Sequence, residues 1–382
     1  MDFTESEEQA LFRRQIVEFA RARLNSGVKE RESSGTFDRA GFLACAEIGL
    51  LGLPVPEAYG GLGQGVVSSM IAMEALGYGA EDQGLAFAVN TQLWTCEVPI
   101  LHFGTEAQKQ RYLPKLVTGE LIGGHATTEP NSGSDAYAME TKAELKDGVW
   151  ILNGNKTFIT NAPIADVLII FASTGESKGF GGGITAFLVE TDQKGVQIGP
   201  PLKKMGLKTS PMAEVHLEDV VVPPEMVLGK KGGGAAIFSS EMEWERSCLF
   251  ACHLGAMARQ LEKCVEYAKE RKQFGQAIGK YQAISHRLAN MKLRIEMARP
   301  MLYKVGWLKD QGQRAVLEAA IAKLYVSEAY VQSSLDAVQI FGGYGYMEEY
   351  DVERMLRDAV GSVLYSGTSD IQRNIIARWL GL

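Results

Sequence analysis

KKGGGAAIFSSEMEWERSCLFACHLGAMA, Lys230 to Ala258, is the stretch where the chain changes texture. The three glycines Gly232 to Gly234 end a run of strand-like sequence. Beyond them Phe238, Met242, Glu245, Leu249, Cys252 and Ala256 follow one another at spacings of 4, 3, 4, 3 and 4. That period belongs to one face of a helix and to no strand, so a long helix starts here. Glu245 falls inside its apolar stripe. A carboxylate in such a place is either paired or carries a desolvation cost that alanine would not, so it needs a partner or a task. Glu241 lies near the same face one turn earlier and competes for that task. Glu243 points roughly to the opposite side, where Arg246 at i+3 is its expected neutralising partner.

Upstream of this helix, from about residue 120 to 228, the texture is β-rich. Trp150-Ile151-Leu152, Ala165 to Ala172, Ile184 to Glu190 and Glu214 to Val222 read as strands, separated by Asp147-Gly148, Gly179 to Gly183 and Pro200-Pro201. Residues 1 to 118 read as helices. Ser6 with Gln9 forms a capping box ahead of Leu11, Phe12, Ile16 and Phe19, and helical periods return at Ala46 to Leu51 and Met70 to Leu76 around the turn-rich PEAYGGLG. After Gly234 the chain is helical almost to its end, broken near Lys272 to Gly279 and at FGGYGY. The expected architecture is α+β in three parts: a helical domain 1–118, a barrel- or sandwich-like β-domain 119–228 and a helical bundle 229–382.

Composition narrows the function. A net charge of −7 lacks the basic face of a nucleic-acid binder. The apolar run VLIIFA is far shorter than the roughly 18 residues of a membrane span, and MDFTESEEQALFRRQ lacks the plan of a secretory signal. A cytoplasmic protein is expected. Cys45, Cys96, Cys248, Cys252 and Cys264 are scattered through apolar helical pattern and read as free buried thiols. His102, His125, His216, His253 and His286 show no metal-ligand spacing. Gly179 to Gly183 sits between strands with no helix behind it, so it is no Rossmann phosphate loop.

LPVPEAYGGLG, HATTEPNSGSD, NGNKTFITNA, ERKQFGQAIG, DAVQIFGGYGY and LYSGTSDIQ occur in this order along the chain. Together they resemble the successive signatures of the acyl-CoA dehydrogenase family. The resemblance implies a helical domain, a β-domain and a C-terminal four-helix bundle with FAD held between them, which is the three-part texture already described.

By the same resemblance, His125 to Ser134 is the loop that meets the pyrimidine end of the isoalloxazine, through backbone N–H groups with His125, Thr127 and Thr128. Ser134 is implied to meet flavin phosphate or substrate. Phe158-Ile159-Thr160 corresponds to an aromatic-Ile-Thr behind the ring, with Thr160 at N5; the bare sequence reads these residues as strand core. Arg271 is implied at the pyrophosphate, where a planar fork suits two oxygens. Phe274 is implied beside the adenine, with Gln282, Gln339, Gly342, Gly343 and Thr368 completing the cofactor site. Part of that site is expected from a neighbouring subunit, so a homo-oligomer, most often a tetramer, is implied.

Ser366 in LYSGTSDIQ stands where many members of the family carry the catalytic glutamate. A second branch, that of isovaleryl-CoA dehydrogenase, keeps its base on the long helix in a Glu-Arg pair, and Glu245-Arg246 matches it. Glu245 is thereby implied as the general base, with Arg246 and Ser366 at the substrate. The stretch from MEWERSCLF to ERKQFG most resembles a smaller branch whose members oxidise proline held as a thioester on a carrier protein. A free short branched-chain CoA thioester is the alternative substrate, and a flavin-holding scaffold without chemistry is a third class. Electrons are expected to pass to an electron-transfer flavoprotein or another acceptor. An acidic carrier needs a positive patch, for which Lys203, Lys204, Lys208, Lys230 and Lys231 are candidates.

Overall fold

Helices open the chain, and the first is capped as its sequence predicts. Ser6 Oγ accepts the Gln9 N–H and the Gln9 side chain accepts the Ser6 N–H, so two otherwise orphaned donors of helix Glu7–Arg23 are satisfied. Thr105 and Gln108 repeat the arrangement at helix Glu106–Val117. The computed structural model describes residues 5–175 and 183–382. The first four residues of the acidic start, and all but Gly183 of the 179–183 glycine run, lie outside the described residues.

Eight strands follow: β1 Gly123–Ala126, β2 Lys142–Lys146, β3 Val149–Thr160, β4 Val167–Ser173, β5 Ile184–Glu190, β6 Val196–Ile198, β7 Met212–Val222 and β8 Val227–Leu228. They form one sheet in the order β6-β7-β3-β2-β4-β5-β8, with β1 pairing parallel to β4. The Asp147-Gly148 dipeptide closes the β2–β3 hairpin as a two-residue loop with both φ angles positive, the geometry that matches strand twist. β3 runs well past the predicted Trp150-Ile151-Leu152 and takes in the whole NGNKTFIT motif, while the short β1, β2, β6 and β8 escape the sequence pattern. Too few residues alternate in them to register.

The C-terminal part packs the helices Phe250–Glu270, Gln282–Asp310 and Val316–Phe341 with Val352–Gly361 and Ser369–Trp379. Its core is continuous with that of the N-terminal helices: Phe42, Met70, Met73 and Leu76 share one buried cluster with Phe250, Leu254, Met257 and Leu302. A second cluster fills the sheet and the helices laid on it, around Trp150, Leu168, Ile170 and Phe187. Helices Val66–Gly79 and Phe250–Glu270 touch backbone to backbone. A Cβ on Gly77 would stand 1.9 Å from the Cys252 carbonyl oxygen, and one on Gly255 would stand 1.9 Å from that of Glu74. This close crossing fixes the depth of the helix that carries Glu245.

That helix is not continuous. Between Gly234–Trp244 and Phe250–Glu270 lies a single π-turn, Glu245–Leu249. The predicted stripe from Phe238 to Ala256 is therefore broken after Glu245, since a π-turn adds a residue to the repeat and rotates the helix beyond it. Ser247 bonds back to the carbonyls of Glu243 and Trp244, at 2.8 and 3.0 Å, inside the distorted turn. A second π-turn, Leu93–Glu97, packs against the first, with Trp94 stacked on Trp244 at 5.9 Å. All five cysteines are buried and free. No helix among the described residues is long and apolar enough to cross a membrane.

Candidate active site

Glu245 begins the π-turn and is 9% exposed. Its Oε1 accepts the Ser366 hydroxyl at 2.9 Å, a contact across 121 residues of sequence. Its Oε2 is buried without a partner among the described residues. The next residue, Arg246, donates Nε–H to the Ser366 carbonyl at 3.0 Å, and Gln372 Nε2 donates to the same oxygen at 3.1 Å. These bonds hold Ser366 at φ 56, a left-handed conformation, with Gly367 beside it at φ 83. The positive φ of Gly367 favours glycine, and a Cβ there would also approach Gln372 Nε2 to 2.8 Å. The turn leaves the Ser366 N–H with no acceptor among the described residues.

Tyr365 anchors this turn from the other side. Its hydroxyl bonds His253 Nε2 at 2.6 Å, and its ring packs on Phe87 and Phe250. Burial pushes His253 down to about 3, helped by the charge of Lys323, so the imidazole is neutral. Lys323, fully buried, lies with Nζ over the Phe250 ring at 5.6 Å and has no hydrogen-bond partner among the described residues; it is lowered to about 7 by burial and by Arg246, against the pull of Glu245.

Glu241 is 1% exposed and its Oε1 is hydrogen-bonded to His125 Nδ1 at the end of β1. Burial pushes Glu241 up to about 7, opposed by His125 and reinforced by Glu245. Burial alone would lower His125, yet the neighbouring Glu241 carboxylate, with Glu245 beyond it, raises it. Nothing in the sequence pairs His125 with Glu241, because they meet only when β1 lies against the long helix. Glu243 departs from expectation as well. It is buried, with Oε2 taking the Ala315 N–H at 3.0 Å and Lys309 Nζ at 3.6 Å, instead of meeting Arg246. Arg246 turns to Ser366 because the π-turn begins between the two residues.

The loop after β1 is held by a buried ion pair that no motif announced. Lys156 Nζ lies 2.7 Å from Glu129 Oε1, and Glu129 also takes the N–H groups of Glu140 and Thr141. Burial lowers Lys156 to about 8, against the pull of Glu129. Lys156 also bonds the Thr127 carbonyl at 3.2 Å, and the Thr157 N–H bonds the Thr128 carbonyl at 2.9 Å. The TEP and NGNK motifs are thus two halves of one clamp.

Four residues fit the flavin dinucleotide implied by the resemblance. Thr127 Oγ1 is buried with no partner among the described residues. Phe158 is 63% exposed at φ 58, because a bulge between Lys156 and Ile159 turns it out of β3; it is not strand core. Thr160 ends that strand, paired with Met212. Phe274, at the tip of a small hairpin, is 95% exposed, a bare aromatic face that a ring or another chain can cover.

The remaining sequence candidates are spread more widely, from the far end of helix Phe250–Glu270 to Thr368 directly after the Ser366 turn. Arg271 caps the far end of helix Phe250–Glu270 and lies over the Tyr344 ring at 5.4 Å. Gln282 begins helix Gln282–Asp310. Gln339, Gly342 and Gly343 are exposed, and Gly342, at φ 61, has open space where a Cβ would point. Arg271 is separated from the Glu245 turn by the 21 residues of that helix, about 30 Å at 1.5 Å per residue. Thr368 caps helix Ser369–Trp379 by accepting the Ile371 N–H. Ser134 is exposed and has no side-chain partner among the described residues. Lys204 leaves the expected positive patch: its ammonium is bonded to the carbonyls of Leu207 and Ser210 and is lowered to about 8 by burial. Lys203, Lys230 and Lys231 are exposed and Lys208 is half-buried.

Comparison with known proteins covers nearly the whole chain. Residues 6–120, 124–220 and 232–381 match the acyl-CoA dehydrogenase N-terminal, middle and C-terminal domains. The L-prolyl-[peptidyl-carrier protein] dehydrogenase of Pseudomonas fluorescens is 46% identical over 352 residues, 92% of each chain. Among solved structures, the prolyl acyl carrier protein oxidase AnaB superposes with a TM-score of 0.97 at 45% identity, covering 99% of this chain and 100% of its own. PigA with FAD and proline gives 0.97 at 42%, covering 100% of both chains. With all three parts matched and a glutamate-arginine pair held against the Ser366 turn, this chain belongs to the acyl-CoA dehydrogenase family.

Proposed function

We propose that this protein is a flavin-dependent dehydrogenase of a carrier-protein thioester, with L-proline on the phosphopantetheine arm as its substrate. The observation that carries the reading is the contact between Glu245 and Ser366: a buried carboxylate with one free oxygen beside a backbone N–H that has no acceptor among the described residues. The prolyl relatives support the choice of substrate.

The Ser366 N–H donates to the thioester carbonyl and stabilises the charge that develops there as the α-proton leaves. Glu245 accepts that proton on Oε2, while the Ser366 hydroxyl holds Oε1 and fixes the carboxylate. FAD, when bound, accepts two electrons with the β-hydrogen. The first product is the α,β-unsaturated prolyl thioester. Thr127, Thr128, Phe158 and Thr160 hold the isoalloxazine in this reading. Arg271, Phe274, Gln282, Gln339, Gly342 and Gly343 lie at the other end of a helix about 30 Å long and serve the cofactor of a neighbouring subunit, which makes the enzyme a homo-oligomer. Electrons then leave to an electron-transfer flavoprotein or to dioxygen.

The test is the visible spectrum of the FAD-loaded protein, mixed anaerobically with prolyl-carrier protein or with short branched acyl-CoA thioesters. Prolyl-carrier protein should bleach the oxidised flavin, and E245Q should keep FAD while losing at least about a thousandfold in bleaching rate. Bleaching by CoA thioesters alone removes the carrier reading, and a fully active E245Q removes Glu245 as the base. Light scattering that finds an FAD-loaded monomer removes the shared cofactor site.

A further inference from the structure

Glu241 has no part in the proton transfer just described. Yet it lies one helical turn before Glu245, and the Glu245 N–H still bonds the Glu241 carbonyl, so the helix is regular between them and both carboxylates rise from one face. His125 holds Glu241 Oε1. Oε2 is buried and has no partner among the described residues. An apolar acyl chain would give that oxygen nothing to bond. A carboxylate left in this state beside the base is a penalty for such a substrate.

Carrier-held proline differs from a simple acyl group at one point. Its α-carbon bears a secondary ammonium. Glu245 must reach the hydrogen on that carbon, and the nitrogen sits about 1.5 Å from the same carbon. An acceptor one turn from Glu245 is therefore placed for the nitrogen. We propose that the Glu241–His125 pair is the recognition site for the substrate's ring ammonium, with Glu241 Oε2 accepting an N–H and His125 fixing the carboxylate. The inference rests on the prolyl reading above.

The groups facing Glu241 fit this role. They are His125 from β1, Glu245 from its own helix and Cys96 from the facing π-turn, while Lys156 of β3 faces His125. Among the described residues, the only cation beside the carboxylate is thus one that shares its proton. An arriving ammonium supplies the hydrogen bond that Glu241 Oε2 lacks, and it leaves positive charge next to the carbon that Glu245 deprotonates.

The experiment compares two thioesters on one carrier protein, L-prolyl and cyclopentanecarbonyl, which has the same ring without nitrogen. Flavin bleaching rates and calorimetric affinities are measured for the FAD-loaded wild type, E241Q and E241D. The wild type should prefer the prolyl carrier by roughly a hundredfold. E241Q should cut that ratio by about tenfold or more, and E241D should restore part of it. An unchanged ratio in E241Q, or equal losses on both thioesters, overturns the proposal and marks Glu241 as structural. A wild type with no preference in affinity or rate overturns it whether or not the variants fold. If the wild type is bleached by neither carrier thioester, the prolyl reading fails and this inference with it; bleaching by prolyl-carrier protein with a preserved ratio sinks the inference alone.

Discussion

Ser366 and Glu245 lie 121 positions apart in the chain and form one unit in space. The importance of Glu245 is readable from its place in an apolar stripe, because a buried carboxylate needs a reason. Its partner is not, since a hydroxyl near the C-terminus carries no mark of what it will meet. Glu241 and His125 repeat the lesson, and their pairing has a consequence with pH. Both hold protons more tightly in the folded chain than in the unfolded one: Glu241 because burial pushes it up to about 7, His125 because Glu241 outweighs its burial. Stability from such groups is fully present below the unfolded pKa values and is lost as pH rises through the folded ones. E241Q removes the carboxyl and with it the pull on His125. The stability of wild type minus that of E241Q should therefore fall as pH rises from about 5 to about 8, by up to about 1.4 kcal/mol per pH unit for each proton held. Urea unfolding at a series of pH values measures it; a difference that grows with pH contradicts the protonated pair.

Two irregular elements place the site. In β3 the bulge before Ile159 forces Phe158 to φ 58 and out into solvent, so a residue that reads as strand core becomes a flat apolar wall. The alternation in VWILNGNKTFIT is legible, but a bulge is a register fault between two strands, and only the partner strand β7 defines it. A left-handed phenylalanine is strained by about 1 to 2 kcal/mol. Phe158→Gly should raise the stability of the apoprotein by roughly 1 kcal/mol while lowering FAD retention, seen as a reduced flavin-to-protein absorbance ratio. A destabilised apoprotein with normal flavin content would refute this account of the bulge. The π-turn at Glu245–Leu249 is the second case. Helical spacing is legible on either side of it, yet the extra residue redirects Arg246 from Glu243 to Ser366, and Glu243 to Lys309 and Ala315. Such turns occur often at functional sites.

At the scale of the molecule, net charge −7 leaves an acidic carrier few places to dock. Lys203, Lys230 and Lys231 remain exposed, whereas Lys204 is used inside the fold. Reversing the three exposed lysines to glutamate should raise the KM for prolyl-carrier protein by about tenfold, more at low salt than at high, and leave flavin reduction by saturating carrier protein unchanged. An unaltered KM would move docking to another face. The sequence by itself determined the order of helix, sheet and helix, the family, the capped first helix and Glu245. Each of these rests on local periodicity or on residues close together in the chain. The tertiary structure alone decided that Ser366 holds Glu245, that His125 meets Glu241, that Lys156 clamps Glu129 and that Lys204 is unavailable. These are contacts between distant segments, fixed by the backbone-to-backbone crossing at Gly77 and Gly255 and by the bulge and π-turn that depart from regular repeats. No pattern along one strand or helix encodes where another will lie against it.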